Sequence, residues 1–285
     1  MQCCYINLDQ AVQRRTDLEA SFKAAARPGW QLERFRALDV AYVEEQAVPG
    51  TRTRAEKACF MSHRAVIQKY AGNAEYLLVV EDDVAFGAAT FEIVDGFLQQ
   101  NAEADWDLLF LDIGTLELKD MLTMYFNREK FMRRGSVIPL DLARLQFFGS
   151  NAYIVNRNAF DKVLACLDAG MPIDTEYDMF LSRCIRKGVL KAPVLFPFLT
   201  TLSRHAGVSQ IQRSSIDTVN LARNIFRNMM WLESVPASFE ADLALLDTRV
   251  ASSGHATVVK LLTAICDDYD NPGFNSDRIS NARPS

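Results

Sequence analysis

The chain has 285 residues, 49% of them hydrophobic and 24% charged, with a formal net charge of -5. That balance suits a folded globular protein and excludes a disordered or fibrous chain. The acidic excess argues against a long nucleic acid as ligand, although a few local arginines suffice for one diphosphate.

No apolar run approaches the roughly 18 residues of a membrane-spanning helix. The chain opens at once on a strand-like segment, so the reading includes no signal peptide. Cys3, Cys4, Cys59, Cys166, Cys184 and Cys266 form no CxxC pair and no zinc spacing. They read as reduced thiols of a cytosolic protein.

Residues 3–8 form a short apolar run that predicts a strand. Asp9 follows as a helix cap, and a helical pattern continues to about residue 26, where Pro28-Gly29 ends it. A second strand is expected over residues 35–40, then a loop through Pro49-Gly50. Thr53 and Glu56 make a T-x-x-E capping box that opens a helix reaching about residue 70. Residues 76–80 are wholly apolar, as in the middle of a parallel sheet. They run straight into Glu81-Asp82-Asp83. A helix over 88–100 and a buried strand over 107–113 come next. Residues 116–148 show no clean period and read as an irregular excursion over the active face. A strand over 152–156, helices over 159–167 and 178–187, and an extended segment over 189–198 complete the alternation. From residue 216 the pattern turns helical, with helices expected over 216–233, 237–252 and 255–268. Leu221, Ile225, Met229 and Leu232 make an apolar stripe, read as core packing or a dimer contact, with Arg223 and Arg227 elsewhere on that helix. Residues 271–285 read as a frayed tail.

Alternating strands and helices predict an α/β fold with a mostly parallel central sheet flanked by helices. Ligands of such sheets sit beyond the carboxyl ends of the strands, which is where the acidic run lies. Three carboxylates at the tip of a buried strand repel one another unless a cation or hydrogen-bond donors neutralise them. Hard divalent cations such as Mg²⁺ or Mn²⁺ prefer carboxylate oxygens. In extended backbone Glu81 and Asp83 point to the same side. The competing reading is a solvated acidic turn that caps the next helix.

Four ordered segments resemble glycosyltransferase family 25, the lipopolysaccharide-type β-galactosyltransferases related to procollagen galactosyltransferases. They are Tyr5-Ile6-Asn7-Leu8-Asp9 with Arg14-Arg15, Glu56-Lys57-Ala58-Cys59-Phe60-Met61-Ser62-His63, Leu78-Val79-Val80-Glu81-Asp82-Asp83-Val84, and Gly149-Ser150-Asn151-Ala152-Tyr153-Ile154-Val155 followed by Asp178-Met179-Phe180-Leu181. Ala58 stands where the family usually has glycine. Alanine favours the helix but argues against a close backbone approach there.

The resemblance implies a GT-A-like fold with a helical C-terminal appendage: residues 1–213 as the nucleotide-sugar and catalytic domain, 214–270 as the helical region, 271–285 as the tail. It implies an inverting, metal-dependent enzyme that moves a hexose, galactose first, from a UDP-sugar to a glycan or lipid-linked oligosaccharide acceptor. Asn7, Leu8, Arg14, Ser62, His63, Glu81 and Asp82 would meet the nucleotide, and Asp83, with Glu81 and a late His205, would hold Mn²⁺ or Mg²⁺. His205 has Ser203 and Arg204 as neighbours able to close over the diphosphate. Asp178 is the expected base, with Asp174 as second candidate and Asp112 as a further acid near the cleft. Each has a bland counterpart: a turn Asn7, a solvated Arg14, a packed His63, a helix-capping Asp178 and an exposed loop His205. The expected setting is the cytoplasm, with at most peripheral contact at the inner membrane face, no nucleic-acid partner, and a candidate homodimer contact through the C-terminal helices. Two other function classes stay open: a phosphatase-like Mg²⁺-binding α/β protein, and a relative that kept the fold and lost transfer. A phosphoaspartate domain would want a chain of roughly 120 residues and a late-strand lysine, and neither is found.

Overall fold

The computed structural model describes residues 1–203, 218–233 and 239–253. In chain order the elements are β1 (Gln2–Asn7), α1 (Val12–Ala25), β2 (Gln31–Arg36), α2 (Val40–Glu45), α3 (Arg54–Tyr70), β3 (Tyr76–Glu81), β4 (Val84–Phe86) and α4 (Thr90–Gln100). Then come β5 (Leu108–Phe110), β6 (Gly114–Thr115), α5 (Leu118–Arg134), β7 (Ile138–Asp141), β8 (Phe147–Phe148), β9 (Ala152–Asn156) and α6 (Phe160–Asp168). The last are α7 (Tyr177–Arg186), β10 (Pro193–Phe196), β11 (Thr200–Leu202), α8 (Thr218–Met229) and α9 (Phe239–Ser253).

One sheet has the order β2-β1-β3-β9-β5-β10-β7. Strands β2, β1, β3, β5 and β10 point the same way, while β9 and the edge strand β7 run against them. The sheet is therefore mostly parallel by strand direction, as expected, with one reversed strand at its centre. Side chains alternate between two covered faces. Leu77 and Val79 of β3 join the core with α3, α6 and α7, and Leu78 and Val80 join the core with α1 and α4. Both faces being covered explains the unbroken apolar run. These four residues are fully buried, each stabilising by about 1.5–3 kcal/mol. That anchors the strand whose tip carries the carboxylates.

The capping box of α3 is present: the Glu56 amide donates to Thr53 Oγ1 at 3.3 Å and the Thr53 amide donates to Glu56 Oε2 at 2.9 Å. Its removal would cost about 1 kcal/mol. Strands β3 and β9 and helices α4, α6 and α7 lie within a residue or two of their expected positions.

Several expectations need correction. Asp9 caps no helix; the cap position of α1 is Ala11, with no side-chain cap. Asp9 instead pairs with Arg34 at 2.6 Å and Arg36 at 2.9 Å. The second strand is β2, earlier than residues 35–40, because Asp39 accepts the Tyr42 amide at 3.0 Å and starts α2. The strand expected over 107–113 is only the three residues of β5. The stretch 116–148 is not irregular: it holds α5, β7 and β8.

The apolar stripe of α8 packs within the molecule. Leu221 and Ile225 meet Leu246 of α9, Met229 packs against both that cluster and the main core, and Leu232 packs against the core over α1 and α4. The helix expected over 255–268, the tail, Arg204 and His205 lie outside the described residues. Among the described residues no helix is long and apolar enough to cross a membrane. The five described cysteines are free, and the Cys166 and Cys184 thiols meet at 3.0 Å between α6 and α7.

Candidate active site

The carboxyl edge of the parallel strands gathers the polar residues. Strand β1 ends on Asn7, and β3 ends on Glu81, after which Asp82 and Asp83 form a turn into β4. The reversed strand β9 begins at the same edge, and the Glu81 amide donates to the Asn151 carbonyl at 2.8 Å. A cleft of 470 Å³ opens there between the β1–α1 junction and α3. Leu38, Val40, Ala55 and Ala58 give it apolar walls, and Arg14, Glu81, Asp82 and Asp83 give it one charged end. Ala58 is buried in an intact helix with its methyl group in the cleft wall.

The three carboxylates have different partners. Asp82 is fully engaged: Oδ2 accepts from Asn7 Nδ2 at 2.8 Å and Oδ1 from Arg14 Nη1 at 2.8 Å. Asp83 Oδ1 accepts from Asn151 Nδ2 at 3.0 Å, and its Oδ2 lies 3.6 Å from Arg14. Glu81 Oε1 lies 3.6 Å from His63 Nε2, on the α3 side. The turn thus puts Asp83 beside Asp82 at Arg14, where extended backbone would have grouped it with Glu81.

Electrostatics separates them further. Burial opposes the charge on Glu81, but His63, Arg227 and Arg14 outweigh it and hold its pKa below the usual range. Burial and then the Glu81 charge push Asp83 up to about 6, with Arg14 pulling the other way. Its charged form is therefore disfavoured. A cation would relieve that cost.

Asn7 is 1% exposed and does not line the cleft; it braces Asp82, the Ala11 carbonyl and Arg34 Nε. Leu8, Arg14, Ser62 and His63 do line it. Ser62 Oγ accepts the Leu38 amide at 2.9 Å and donates to the Ala58 carbonyl at 2.7 Å, tying α3 to the chain after β2. His63 stacks on Tyr177 at 4.0 Å, and its Nδ1 lies 3.0 Å from the Tyr153 hydroxyl, which meets the Tyr177 hydroxyl at 2.7 Å.

Asp178 is the second residue of α7 and does not cap it; the cap position is Glu176. Its Oδ2 accepts the Gly149 amide at 2.9 Å and its Oδ1 the Met179 amide at 2.7 Å. Burial raises its pKa above the usual range, the two amides oppose this, and the charges of Glu81 and Glu176 add to it. Neither Asp178 nor Asp174 lines the cleft, and Asp174 is exposed. Hydrogen bonds from the Thr51 amide and hydroxyl hold its pKa low. Asp112 is fully buried and pairs with Arg227 Nη2 at 2.5 Å, so it is no free acid of the cleft.

Sequence reasoning missed the parts played by Arg227 and Asn151. A signal existed: Asp112 interrupts an otherwise apolar stretch, and a buried carboxylate demands a buried donor.

Residues 1–180 match the sequence family described as Glycosyltransferase family 25 (LPS biosynthesis protein). The curated lipooligosaccharide biosynthesis protein lic2B of Haemophilus influenzae is 34% identical over 169 residues. The match spans 56% of this chain and 61% of that relative. Among solved structures, S. aureus TarS 1-349 in complex with UDP-GlcNAc is similar at a TM-score of 0.42 and 11% identity, covering 88% of this chain and 72% of that one. The galactosyltransferase LgtC in complex with donor and acceptor sugar analogs is similar at a TM-score of 0.35 and 10% identity, covering 87% and 96%. Both likenesses are too distant to carry a residue's role across.

Proposed function

Because the chain belongs to glycosyltransferase family 25, we propose that it transfers a hexose, galactose first, from a UDP-sugar to a glycan acceptor with inversion, in lipopolysaccharide or surface-glycan assembly. The name of the relative lic2B points to the same setting. The observation that carries the reading is the Asp83 carboxylate, crowded by Glu81 and Asp82 and sharing Arg14, at the charged end of a cleft with apolar walls.

The residues fit a divalent cation of the Mg²⁺ or Mn²⁺ kind. Hard carboxylate oxygens face the cleft, and among the described residues the one guanidinium that lines it, Arg14, is already shared by Asp82 and Asp83. Among the described residues no three metal-ligating groups converge into a closed cage. A cation here would sit on one or two carboxylates, with substrate phosphates completing its shell. Asp83 would hold it and Glu81 would assist. When bound, the cation offsets negative charge on the diphosphate leaving group.

The remaining work falls to the chain's own groups. Arg14 stands where it can donate to phosphate once a ligand competes with Asp82. The apolar walls take the flat face of the base and exclude water. Asp178 takes the proton of the acceptor hydroxyl as it attacks the anomeric carbon.

The test is thermal unfolding with UDP-galactose and Mn²⁺. At a hundredfold excess over Kd, binding should raise Tm by about 5–10 °C. Asp83→Asn should abolish the Mn²⁺-dependent part. No shift with any UDP-sugar would sink the donor assignment. A full shift retained in Asp83→Asn would sink the metal assignment.

A further inference from the structure

Arg227 lies on α8, well past the residues that match the family, yet it is only 3% exposed. Its Nη2 contacts the fully buried Asp112 at 2.5 Å, and its Nη1 donates to Asn151 Oδ1 at 3.2 Å. Asn151 Nδ2 in turn donates to Asp83 Oδ1 at 3.0 Å. A line of contacts therefore runs from Asp112 through Arg227 and Asn151 to Asp83.

The chemistry of each link gives the line a direction. A guanidinium has donors only, and a carboxamide has one accepting end and one donating end. Arg227 accepts nothing, so it turns the oxygen of Asn151 toward itself. The amide nitrogen is then turned toward Asp83, the only end a carboxylate can use. A reversed amide would set oxygen against oxygen at Asp83. With Oδ1 so engaged, Asp83 keeps Oδ2 on the side of Arg14, which lines the cleft.

Two further observations support a task beyond folding. A buried ion pair is often replaceable by apolar residues at no cost in stability, so stability alone does not account for Arg227 and Asp112. The backbone also leaves room at the junction. Gly149 has φ +85°, and a Cβ there would sit 3.2 Å from Asn151 Oδ1 and 3.4 Å from Arg227 Nη1.

We propose that Arg227, held by Asp112, is a positioning residue that fixes the orientation of Asn151 and so presents the Asp83 carboxylate to the divalent cation of the donor complex. This rests on the reading that Asp83 meets that cation.

The experiment is calorimetric titration of the full chain with Mn²⁺ and UDP, beside thermal unfolding of each variant without ligand. Arg227→Met should weaken Mn²⁺–UDP binding by roughly tenfold or more, as loss of an outer-shell partner does. Asn151→Ala should weaken it by a similar factor, and adding Arg227→Met to Asn151→Ala should cost nothing further. Arg227→Lys keeps the charge but not the fork, and should restore only part of the affinity. If Arg227→Met does not fold, the pair Asp112→Asn with Arg227→Met carries the test, since it leaves no buried charge alone. That pair should unfold near the wild-type temperature and still bind weakly. Wild-type affinity in the pair, or independent losses in the Asn151 combination, overturns the proposal. If the wild-type chain itself binds no Mn²⁺ with UDP, the metal reading fails first and takes this one with it.

Discussion

Asp178 and Asp174 lie four residues apart and have opposite surroundings. Asp174 is solvent-facing, and hydrogen bonds from Thr51 favour its charged form. Asp178 is buried near Glu81, and its charged form is disfavoured despite the Gly149 and Met179 amides. A base must be ionised before it can take a proton, so a raised pKa moves the loss of activity upward in pH. The acid limb of kcat/KM should therefore fall above the usual aspartate value of about 3.9. Asp178→Asn should lower kcat by about 10²–10⁴. Asp174→Asn should loosen the Thr51 loop and leave the rate and the limb in place. A full rate in Asp178→Asn would remove it as the base, and an unchanged limb in a variant of reduced rate would assign that limb to another group.

The turn between β8 and β9 connects the base to the acidic run. Gly149 gives its amide to Asp178, and two residues on Asn151 gives its side chain to Asp83. Gly149→Ala would force a side chain into left-handed backbone at a cost of about 1–2 kcal/mol, and would press on Asn151 Oδ1. Gly135 offers a control, with φ +58° and nothing near its Cβ position. Both variants should lose about 2–8 °C in Tm, and only Gly149→Ala should also weaken Mn²⁺–UDP binding. Equal affinities in titration would show that the turn does not transmit to Asp83. At this scale the sequence was most readable where one force dominated. Strand β3 was plain because all of Tyr76 to Val80 is core, and α3 because Thr53 and Glu56 cap it in both directions. Helix α5 was not, because Asn127, buried and donating to the Thr123 carbonyl of its own helix, breaks the apolar stripe begun by Met121 and Met124. Strand β2 was misplaced because it is an edge strand of charged residues, with Glu33 held by Lys69 and Tyr70 and Arg34 held by Asn7 and Asp9. Arg227 was missed for a different reason: Asp112 signals that a buried donor exists but not which one, because its partner is 115 positions away in the chain and no local period marks a long-range ion pair.

At the scale of the whole molecule, the chain beyond the family match completes the edge on which the acidic run stands. The Phe198 amide donates to the Met230 carbonyl at 2.9 Å, and the Leu232 amide to the Phe198 carbonyl at 2.8 Å. Arg128 of α5 donates to the Trp231 carbonyl at 2.7 Å. The end of α8 is thus tied to the strand region and to α5, while α9 touches α8 through Leu246 against Leu221 and Ile225. Two truncations should therefore behave differently. A chain ending at residue 233 keeps Arg227 on Asp112 and, among the described residues, loses only the α9 contact. It should unfold cooperatively at a lower temperature and still bind Mn²⁺ with UDP. A chain ending at residue 203 leaves Asp112 buried without its cation, a loss of about 3–5 kcal/mol, and uncovers Phe198. Against a total stability of about 5–15 kcal/mol, that loss added to the lost packing on Phe198 should abolish cooperative unfolding. Calorimetry on both fragments decides the matter: a 203-residue fragment that melts cooperatively and binds like the full chain would make α8 a separable appendage, and a failure of the 233-residue fragment would place α9 among the elements the fold requires.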